Sequence, residues 1–184
     1  NKYFLVVNAS NKDKDLQWML DNKIDGCEII DVSDHYTQIA VQGKKAEATL
    51  QPLTEVALDQ MGYYWFSEGE LAGCPMIISR TGYTGEPGFE LYFANQYAKQ
   101  VWQKVLESGK EFNIEPIGLG ARDSLRLEKK MCLYGNDIDQ TTNPLEAGLG
   151  WITKLDKSDF VGRDALIKVQ QEGLQRRLVA FVLD

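Results

Sequence analysis

A glycine-rich segment between two apolar runs constrains the fold of this chain more than any other feature. Gly82, Gly85 and Gly88 recur at every third position, and glycine adopts backbone angles that other residues avoid. The apolar run 75–79 precedes this segment and the run 89–93 follows it. Two short apolar runs joined by a turn-rich segment predict a long β-hairpin. The chain is therefore expected to build antiparallel sheet.

The same glycine spacing has a superficial likeness to a phosphate-binding loop. That interpretation needs a Lys-Ser or Lys-Thr pair, or a strand that leads directly into a helix, and the segment has neither. Glycines of a hairpin turn are the simpler explanation of the spacing.

The order of strands and helices along the chain indicates the fold class. The hydrophobic pattern predicts strands at 3–7, 27–32, 36–41, 63–66, 75–79, 89–93, 151–153 and 178–184. It predicts helices at 10–22, 44–53, 95–109, 119–130 and 160–171. These elements follow no regular βαβ order, and several strand pairs are typical of hairpins. We therefore expect an α+β fold with mostly antiparallel sheets and packed helices.

Net charge and the length of the apolar runs exclude two classes of partner. The 184 residues carry a formal net charge of −7, and an acidic surface repels the phosphate backbone. Nucleic acid is therefore not expected as a partner. The apolar runs are far shorter than the roughly 20 residues that span a bilayer, so no membrane span is expected.

The cysteines and the histidine do not form a recognisable metal or triad pattern. Cys27, Cys74 and Cys132 are widely scattered, and His35 is the single histidine. A zinc site needs about four ligands at short spacings, so no metal site is expected. A Ser-His-Asp triad would depend on His35 alone. Free cysteines without a signal peptide favour a reducing compartment.

The run 89–93 (FELYF) places a carboxylate inside an aromatic and apolar strand. Because side chains alternate along a strand, Glu90 and Tyr92 share one face, and the apolar side chains between and around them point to the other. A carboxylate at Glu90 is either solvated on an open sheet face or bound to a partner. The residues alone leave both interpretations open.

Two arginines lie one turn apart on the predicted helix 119–130. The spacing of Arg122 and Arg126 allows both guanidinium groups to face one direction. Asp123 and Glu128 are close enough in sequence to pair with them on the surface. Such arginines are most often structural, and the alternative is recognition of a carboxylate by the planar guanidinium fork. Both interpretations stay open.

Several segments of the chain resemble one protein family in the same order. They are SRTGYTGEPGFEL at 79–91, GLGARDSLRLE at 118–128 and CLYGNDID at 132–139, with VVNASNKDKD at 6–15, IAVQGKKA at 39–46 and NPLEAGLGW at 143–151. Together they are similar to the T-protein, or aminomethyltransferase, family of the glycine cleavage system. The resemblance covers nearly the whole chain, and its motifs are specific together although each is weak singly.

The resemblance implies a reaction, a cofactor and a partner. The family takes an aminomethyl group from the lipoyl arm of the H-protein, releases ammonia and passes the one-carbon unit to tetrahydrofolate. It has a multi-domain, folate-binding fold. Tetrahydrofolate, the lipoyl group and the lipoylated H-protein are therefore the expected cofactor, carrier and partner. A monomer is expected, in the cytoplasm or, in a eukaryote, in the mitochondrial matrix.

The resemblance also assigns four binding residues by motif position. Glu90 corresponds to the family's pterin-binding glutamate, Arg122 to its folate-contacting arginine, Tyr83 to a tyrosine of the hairpin at the pocket, and Asn8 to the asparagine that ends the strand beside the pterin. The family often has aspartate where this chain has Pro87. Proline fixes φ and removes a donor, so the turn is expected to differ, although Glu90 keeps its offset.

The resemblance implies domains that continue beyond this chain. Residues 1–33 would end one α+β subdomain, 34–172 would form the main α+β folate-binding domain with its following linker, and 173–184 would begin a C-terminal β-rich domain. The family's aspartate near the reacting folate nitrogen lies upstream of the VVNAS segment. We therefore expect no catalytic residue within this chain, an internal piece of a longer protein, and no turnover by the piece alone.

Three alternatives remain within reach of the same residues. One is a folate-binding relative that assists iron–sulfur cluster assembly, but its Lys-Gly-Cys-Tyr motif is absent and Cys132 lies in Lys-Met-Cys-Leu. Another is the folate domain of a sarcosine- or dimethylglycine-oxidising enzyme. The third is an interaction domain without a folate site, which folate binding dependent on Glu90 would eliminate.

Overall fold

The structure, a computed structural model, describes residues 2–182 and is an α+β fold, as predicted. The chain divides into two compact units between Gly118 and Leu119. The elements of the first unit are α1 (Lys12–Asp21), β1 (Tyr36–Gln42), α2 (Ala46–Leu50), β2 (Phe66–Leu71), β3 (Cys74–Ser79), β4 (Gly88–Ala94) and α3 (Ala98–Ser108). Those of the second unit are α4 (Leu119–Glu128) and α5 (Arg163–Glu172).

The four strands of the first unit form one antiparallel sheet, which confirms the predicted sheet type. Their order across the sheet is β1-β4-β3-β2. Strands β2 and β3 are joined by a two-residue turn at Ala72 and Gly73, whose φ angles are 55° and 74°. Two consecutive positive φ angles match the twist of an antiparallel pair, so this tight hairpin is favoured. Strands β3 and β4 pair across the longer loop, as the glycine spacing predicts.

One face of the sheet packs on helices and forms the core of the first unit. Phe89, Leu91 and Phe93 of β4 are at most 1% exposed. They belong to one cluster with Val101 and Val105 of α3, and these two valines lie four residues apart on one helix face. Each fully buried side chain of this size stabilises the fold by about 1.5–3 kcal/mol. The predicted alternation of β4 and the apolar stripe of the helix are therefore both confirmed.

Strand β2 occupies residues that the sequence suggested as a turn. The predicted strand 63–66 is mostly loop, and the observed strand runs from Phe66 to Leu71. Its core-facing residue Gly69 lies against Val56, where an added β-carbon would come within 2.5 Å of the valine. Glycine and charged residues are not typical of a strand. This edge strand therefore lacks the apolar alternation from which a strand is predicted.

Four predicted strands are not strands among the described residues: 3–7, 27–32, 151–153 and 178–182. A strand needs a neighbour for its N–H and C=O groups, and an apolar pattern does not encode that neighbour. Phe4 instead packs its ring 5.3 Å from Tyr36 and 5.7 Å from Tyr92. Residues 183 and 184 of the last predicted strand lie outside the described part of the chain.

A buried arginine organises the second unit. Arg126 of α4 is 3% exposed, and its guanidinium group bonds the carboxylates of Asp123 and Asp137 and the carbonyl of Met131. Asp137 in turn accepts the backbone N–H of Leu133 at 3.0 Å. The structural interpretation is therefore right for Arg126, which does not share a solvent-facing direction with its neighbour one turn away.

Asn143 and Glu146, which follow the Asp137 segment, hold each other by reciprocal hydrogen bonds. The side chain of Asn143 accepts the backbone N–H groups of Leu145 and Glu146, both at 3.0 Å. Glu146 returns the bond by accepting from the N–H of Asn143 at 3.3 Å, and Arg176 donates to the same carboxylate at 3.2 Å. This reciprocal pattern is that of a capping box. The predicted domain boundaries at 33/34 and 172/173 stay predictions.

Candidate functional site

Glu90 lies near the centre of the sheet, on the face opposite the core. In the register of the strands it is opposite Ala40 of β1 and Ser79 of β3. Alanine and serine are short, so neither covers the carboxylate, and Glu90 is half-buried. We call this surface the open face of the sheet; Glu90 and Tyr92 lie on it, and the ring of Phe4 packs over Tyr92. The backbone of Glu90 is fixed between two paired strands, and its carboxylate stays accessible to a ligand from solvent.

Both carboxylate oxygens of Glu90 accept a hydrogen bond from a neighbouring residue. Gln38 of β1 donates its side-chain amide to Oε1 at 2.6 Å. The hydroxyl of Thr81, just after β3, donates to Oε2 and also shares a hydrogen bond of 3.0 Å with the hydroxyl of Ser79. The phenol of Tyr92 also hydrogen-bonds this carboxylate, so three neighbouring side chains contact a group that has about four acceptor positions. Glu90 is therefore oriented, rather than simply solvated.

Two tyrosines, Tyr63 and Tyr92, lie near this carboxylate. Tyr92 is 7% exposed, and burial, together with the charge of Glu90, raises the pKa of its phenol. Burial also raises the pKa of Tyr63, with smaller effects from Tyr64 and from Glu90. A phenol is protonated at neutral pH in any case, and the raised pKa values keep both of these phenols able to donate further into the alkaline range. The site thus combines one fixed anion with neutral, flat aromatic groups.

The glycine-rich loop between β3 and β4 is fastened by one glutamine. Gln42, at the end of β1, donates its side-chain amide to the carbonyls of Thr81 and Phe89, both at 3.1 Å. A β-carbon on Gly82 or Gly88 would lie 1.8 Å or 2.4 Å from its amide oxygen. These two glycines therefore make room for Gln42. In the same loop, Gly85 has a φ of 70°, which does require glycine's backbone freedom.

Arg80 fixes the start of the same loop. Its guanidinium group donates to the carbonyls of Leu58 at 2.8 Å and Met61 at 3.1 Å, and to Glu47 at 3.1 Å. The group also lies 5.4 Å from the ring centroid of Phe89. An open cleft next to it is lined by Tyr63, Arg80, Gly85, Glu86, Pro87 and Gly88. The arginine is thus part of the wall of that cleft and not a free cation.

The four residues proposed from the sequence have different positions. Glu90 and Tyr83 belong to the same hairpin, where Tyr83 is half-buried in the loop. Asn8 is exposed in the same unit, and its carbonyl accepts the N–H of Asn11 at 2.9 Å. Arg122 is exposed on α4, which belongs to the second unit. Their binding roles stay predictions.

Sequence reasoning did not identify the residues that position Glu90. Gln38 and Thr81 donate to its carboxylate, and Gln42 holds Thr81. The alternation of strand 36–42 does place Gln38 and Gln42 on one face. The pairing of β1 with β4, however, joins residues about 50 positions apart, and the sequence pattern does not reveal it.

Among residues 2–182 no three His, Cys, Asp or Glu side chains are grouped so as to hold a metal ion. None of the helices in the described part of the chain combines the length and apolar character that crossing a membrane requires. The oriented carboxylate of Glu90 is therefore the best-defined candidate among the described residues.

Known proteins are similar to this chain in sequence. The aminomethyltransferase of Halothermothrix orenii is 51% identical over 183 residues, which are 100% of this chain and 51% of that protein. The aminomethyltransferase of Bacteroides fragilis is 54% identical over 182 residues, which cover 98% of this chain and 50% of that protein. The chain therefore spans about half the length of these curated relatives.

A solved structure and a family profile agree with these relatives. The crystal structure of glycine cleavage system aminomethyltransferase T from Bartonella henselae has a TM-score of 0.78 and 32% sequence identity, covering 90% of this chain and 45% of that one. The profile of the GCVT N-terminal domain matches residues 1–157. Since that match includes most of the chain and the site around Glu90, the chain belongs to the GCVT N-terminal domain family.

Proposed function

We propose that this chain contributes the folate-binding part of an aminomethyltransferase of the glycine cleavage system. The reaction transfers a one-carbon unit from the aminomethyl-lipoyl arm of the H-protein to tetrahydrofolate. The carbon–sulfur bond to the lipoyl arm breaks, ammonia leaves, and methylene-tetrahydrofolate and the dihydrolipoyl arm remain. The relatives' name and the Bartonella henselae structure support this assignment.

The single observation that carries the proposal is the oriented carboxylate of Glu90. The pterin of folate presents an amino group and a ring N–H side by side, and a carboxylate can accept both in a bidentate pair. Gln38 and Thr81 each use one position on a different oxygen. Because the phenol of Tyr92 also bonds the carboxylate, a pterin that binds both oxygens takes the place of one of these internal donors.

Aromatic neighbours fit the same ligand. Flat rings pack well against the faces of other flat rings, and Tyr63 and Tyr92 both lie near Glu90. We assign Tyr83, on the glycine-rich loop, and Asn8 to the surroundings of the pterin. We assign Arg122 to the anionic tail of folate, because a chain with net charge −7 needs a local cation to attract it.

The lipoylated H-protein is the proposed carrier of the substrate, and the proposed setting is the cytoplasm, or the mitochondrial matrix of a eukaryote. The chain is proposed to act as a monomer, and no catalytic residue is assigned within it. Folate binding is the step that this chain can be tested for directly.

The first experiment is a tetrahydrofolate titration followed by tryptophan fluorescence, since the chain has four tryptophans. We expect saturable quenching that Glu90→Gln weakens by about 1.5–3 kcal/mol, as for a hydrogen bond to a charged group. That corresponds to a dissociation constant roughly 10- to 150-fold higher. Glutamine retains the shape but offers only one acceptor oxygen.

Glu68→Gln is the matched control for this titration. Glu68 of β2 lies on the same open face, is exposed, and is opposite Ile77 of β3 in the register. The same chemical change there should leave folate affinity within twofold of the parent chain. Absence of quenching from a chain that circular dichroism shows to be folded would contradict the proposal, as would equal effects of the two variants.

A further inference from the structure

The side chain of Thr81 links the glycine-rich loop to Glu90. Its hydroxyl donates to Oε2 of Glu90, and its backbone carbonyl accepts from Gln42 at 3.1 Å. The hydroxyl of Ser79 shares a further hydrogen bond with it at 3.0 Å. Thr81 is thus held from two sides, and a held hydroxyl can fix the plane of the carboxylate that it bonds.

The second donor to Glu90 is less constrained. Gln38 donates to Oε1 at 2.6 Å, but its own side chain is exposed on β1. A glutamine side chain has several rotatable bonds, so an exposed one fixes its partner less firmly than a half-buried threonine does. The two donors reach the two oxygens from opposite sides of β4, Gln38 from β1 and Thr81 from the loop that follows β3. Rotation of the carboxylate would break both bonds.

We propose that Thr81 is a positioning residue that orients the carboxylate of Glu90 and thereby sets its selectivity for a two-donor amino-pyrimidine edge. This inference rests on the proposed function and deepens it. A bidentate pair requires the carboxylate plane to coincide with the plane of the two donors. A ligand with only one donor on that edge makes a single bond, which tolerates many carboxylate orientations. Orientation therefore contributes selectivity as well as affinity.

The test compares Thr81→Val with Thr81→Ser by titration with two probes, tetrahydrofolate and its 2-desamino analogue. Valine keeps the shape of threonine and removes the hydroxyl, whereas serine keeps the hydroxyl. We expect Thr81→Val to weaken tetrahydrofolate binding about tenfold and analogue binding less than twofold. A tenfold loss of affinity is about the contribution of one hydrogen bond. Thr81→Ser should stay within threefold of the parent chain for both probes.

A double-mutant cycle separates positioning from general damage. In a Glu90→Gln background, Thr81→Val should add less than a twofold effect on tetrahydrofolate binding. Equal weakening of both probes by Thr81→Val would overturn the inference, because a structural defect does not discriminate between them. Full tetrahydrofolate affinity in Thr81→Val, with Glu90→Gln impaired, would overturn the inference and leave the proposed function intact.

Two further outcomes complete the test. If Glu90→Gln binds both probes as the parent chain does, the proposed function fails and the inference fails with it. If Thr81→Val does not fold, as judged by circular dichroism, Thr81→Ala replaces it, since alanine differs from the serine of Thr81→Ser by the hydroxyl alone. Selective loss of tetrahydrofolate affinity in Thr81→Ala relative to Thr81→Ser supports orientation by the hydroxyl, and unchanged selectivity overturns it.

Discussion

The amide oxygen of Gln42 occupies the space of the missing side chain at Gly82: a β-carbon on the glycine would lie 1.8 Å from it. Gln42 comes from β1, and the loop that contains Gly82 joins β3 to β4. The glutamine is pinned because its amide nitrogen donates to two carbonyls of the hairpin, both at 3.1 Å. The absence of a side chain at Gly82 and the two bonds donated by Gln42 therefore together fix the loop beside Glu90.

Gly82→Ala should destabilise the chain by about 1–3 kcal/mol, because Gln42 must move and lose the two bonds it donates. The effect should shrink to less than about 0.5 kcal/mol in a Gln42→Ala background, where nothing fills the space. Urea unfolding curves of the four proteins measure both values. Gly120→Ala is the control, since Gly120 lies within a helix with nothing within 4 Å of an added β-carbon.

Alanine at Gly120 should be neutral or stabilising by up to about 1 kcal/mol, as expected for glycine replaced in a helix. A similar loss of stability from alanine at Gly82 and at Gly120 would contradict the special role of the space at Gly82. So would an undiminished effect of Gly82→Ala when Gln42 is alanine.

Arg80→Lys should destabilise the chain by about 1–3 kcal/mol, since it removes the guanidinium group, one nitrogen of which donates to two carbonyls. Those carbonyls belong to Leu58 and Met61. Glu47→Gln should cost only about 0–1 kcal/mol, because the glutamate side chain is 41% exposed and its ion pair is weak. Urea unfolding of the two variants, side by side, measures the difference.

The opposite ranking in the Arg80 comparison would show that the ion pair, and not the carbonyl contacts, holds the loop start. Loss of stability in Arg80→Lys should also depend little on moderate salt, since a hydrogen bond to a neutral carbonyl pairs no two formal charges. A strong salt dependence would contradict the assignment.

Tyr92→Phe should reduce the loss of stability that the chain shows at alkaline pH. Burial, and then the charge of Glu90, raises the pKa of the Tyr92 phenol. The folded phenol therefore stays protonated where the unfolded phenol ionises, so its contribution is complete below about pH 10 and declines as the pH rises above that value. Urea unfolding at about pH 8 and about pH 10.5 measures the change.

The control for the alkaline measurement is Tyr3→Phe, because Tyr3 is 86% exposed. Burial also raises the pKa values of Cys74 and Tyr63, and these groups contribute equally to the parent chain and both variants. An unchanged slope of stability with pH in Tyr92→Phe would contradict the prediction, and so would an equal effect of the two substitutions.

Local patterns were sufficient to predict β4, α3 and the hairpin. The alternation of FELYF, the apolar stripe around Val101, and the glycines of the loop each act within about 15 residues. Those features depend on side-chain direction and backbone freedom, which neighbouring residues determine. The α+β fold class follows from them.

Long-range pairing explains what the sequence did not reveal. The bond from Gln38 to Glu90 joins residues 52 positions apart, and neither residue alone indicates the other. The same holds for segment 3–7, whose apolar pattern favoured a strand although Phe4 packs on aromatic side chains instead. In both cases the local structure depends on a residue that is distant in sequence, and not on the intrinsic strand propensity of the segment.

Arg126→Ala should destabilise the second unit by about 3–5 kcal/mol, because it leaves the carboxylate of Asp137 without its buried partner. Arg126 is 3% exposed and bonds Asp123, Met131 and Asp137. Asp123→Asn should cost at most about 1 kcal/mol, since the aspartate side chain is 52% exposed. Hydrogen–deuterium exchange of peptides covering α4 and residues 131–138 measures the local effect.

We expect faster exchange throughout both peptides in Arg126→Ala and little change in Asp123→Asn. Because the guanidinium group ties α4 to the turn at Asp137, its removal should loosen the two segments together. Exchange that accelerates in only one of them would contradict a shared role for Arg126. Protection equal to that of the parent chain in both segments would show that the buried pair contributes no net stability, as some buried ion pairs do not.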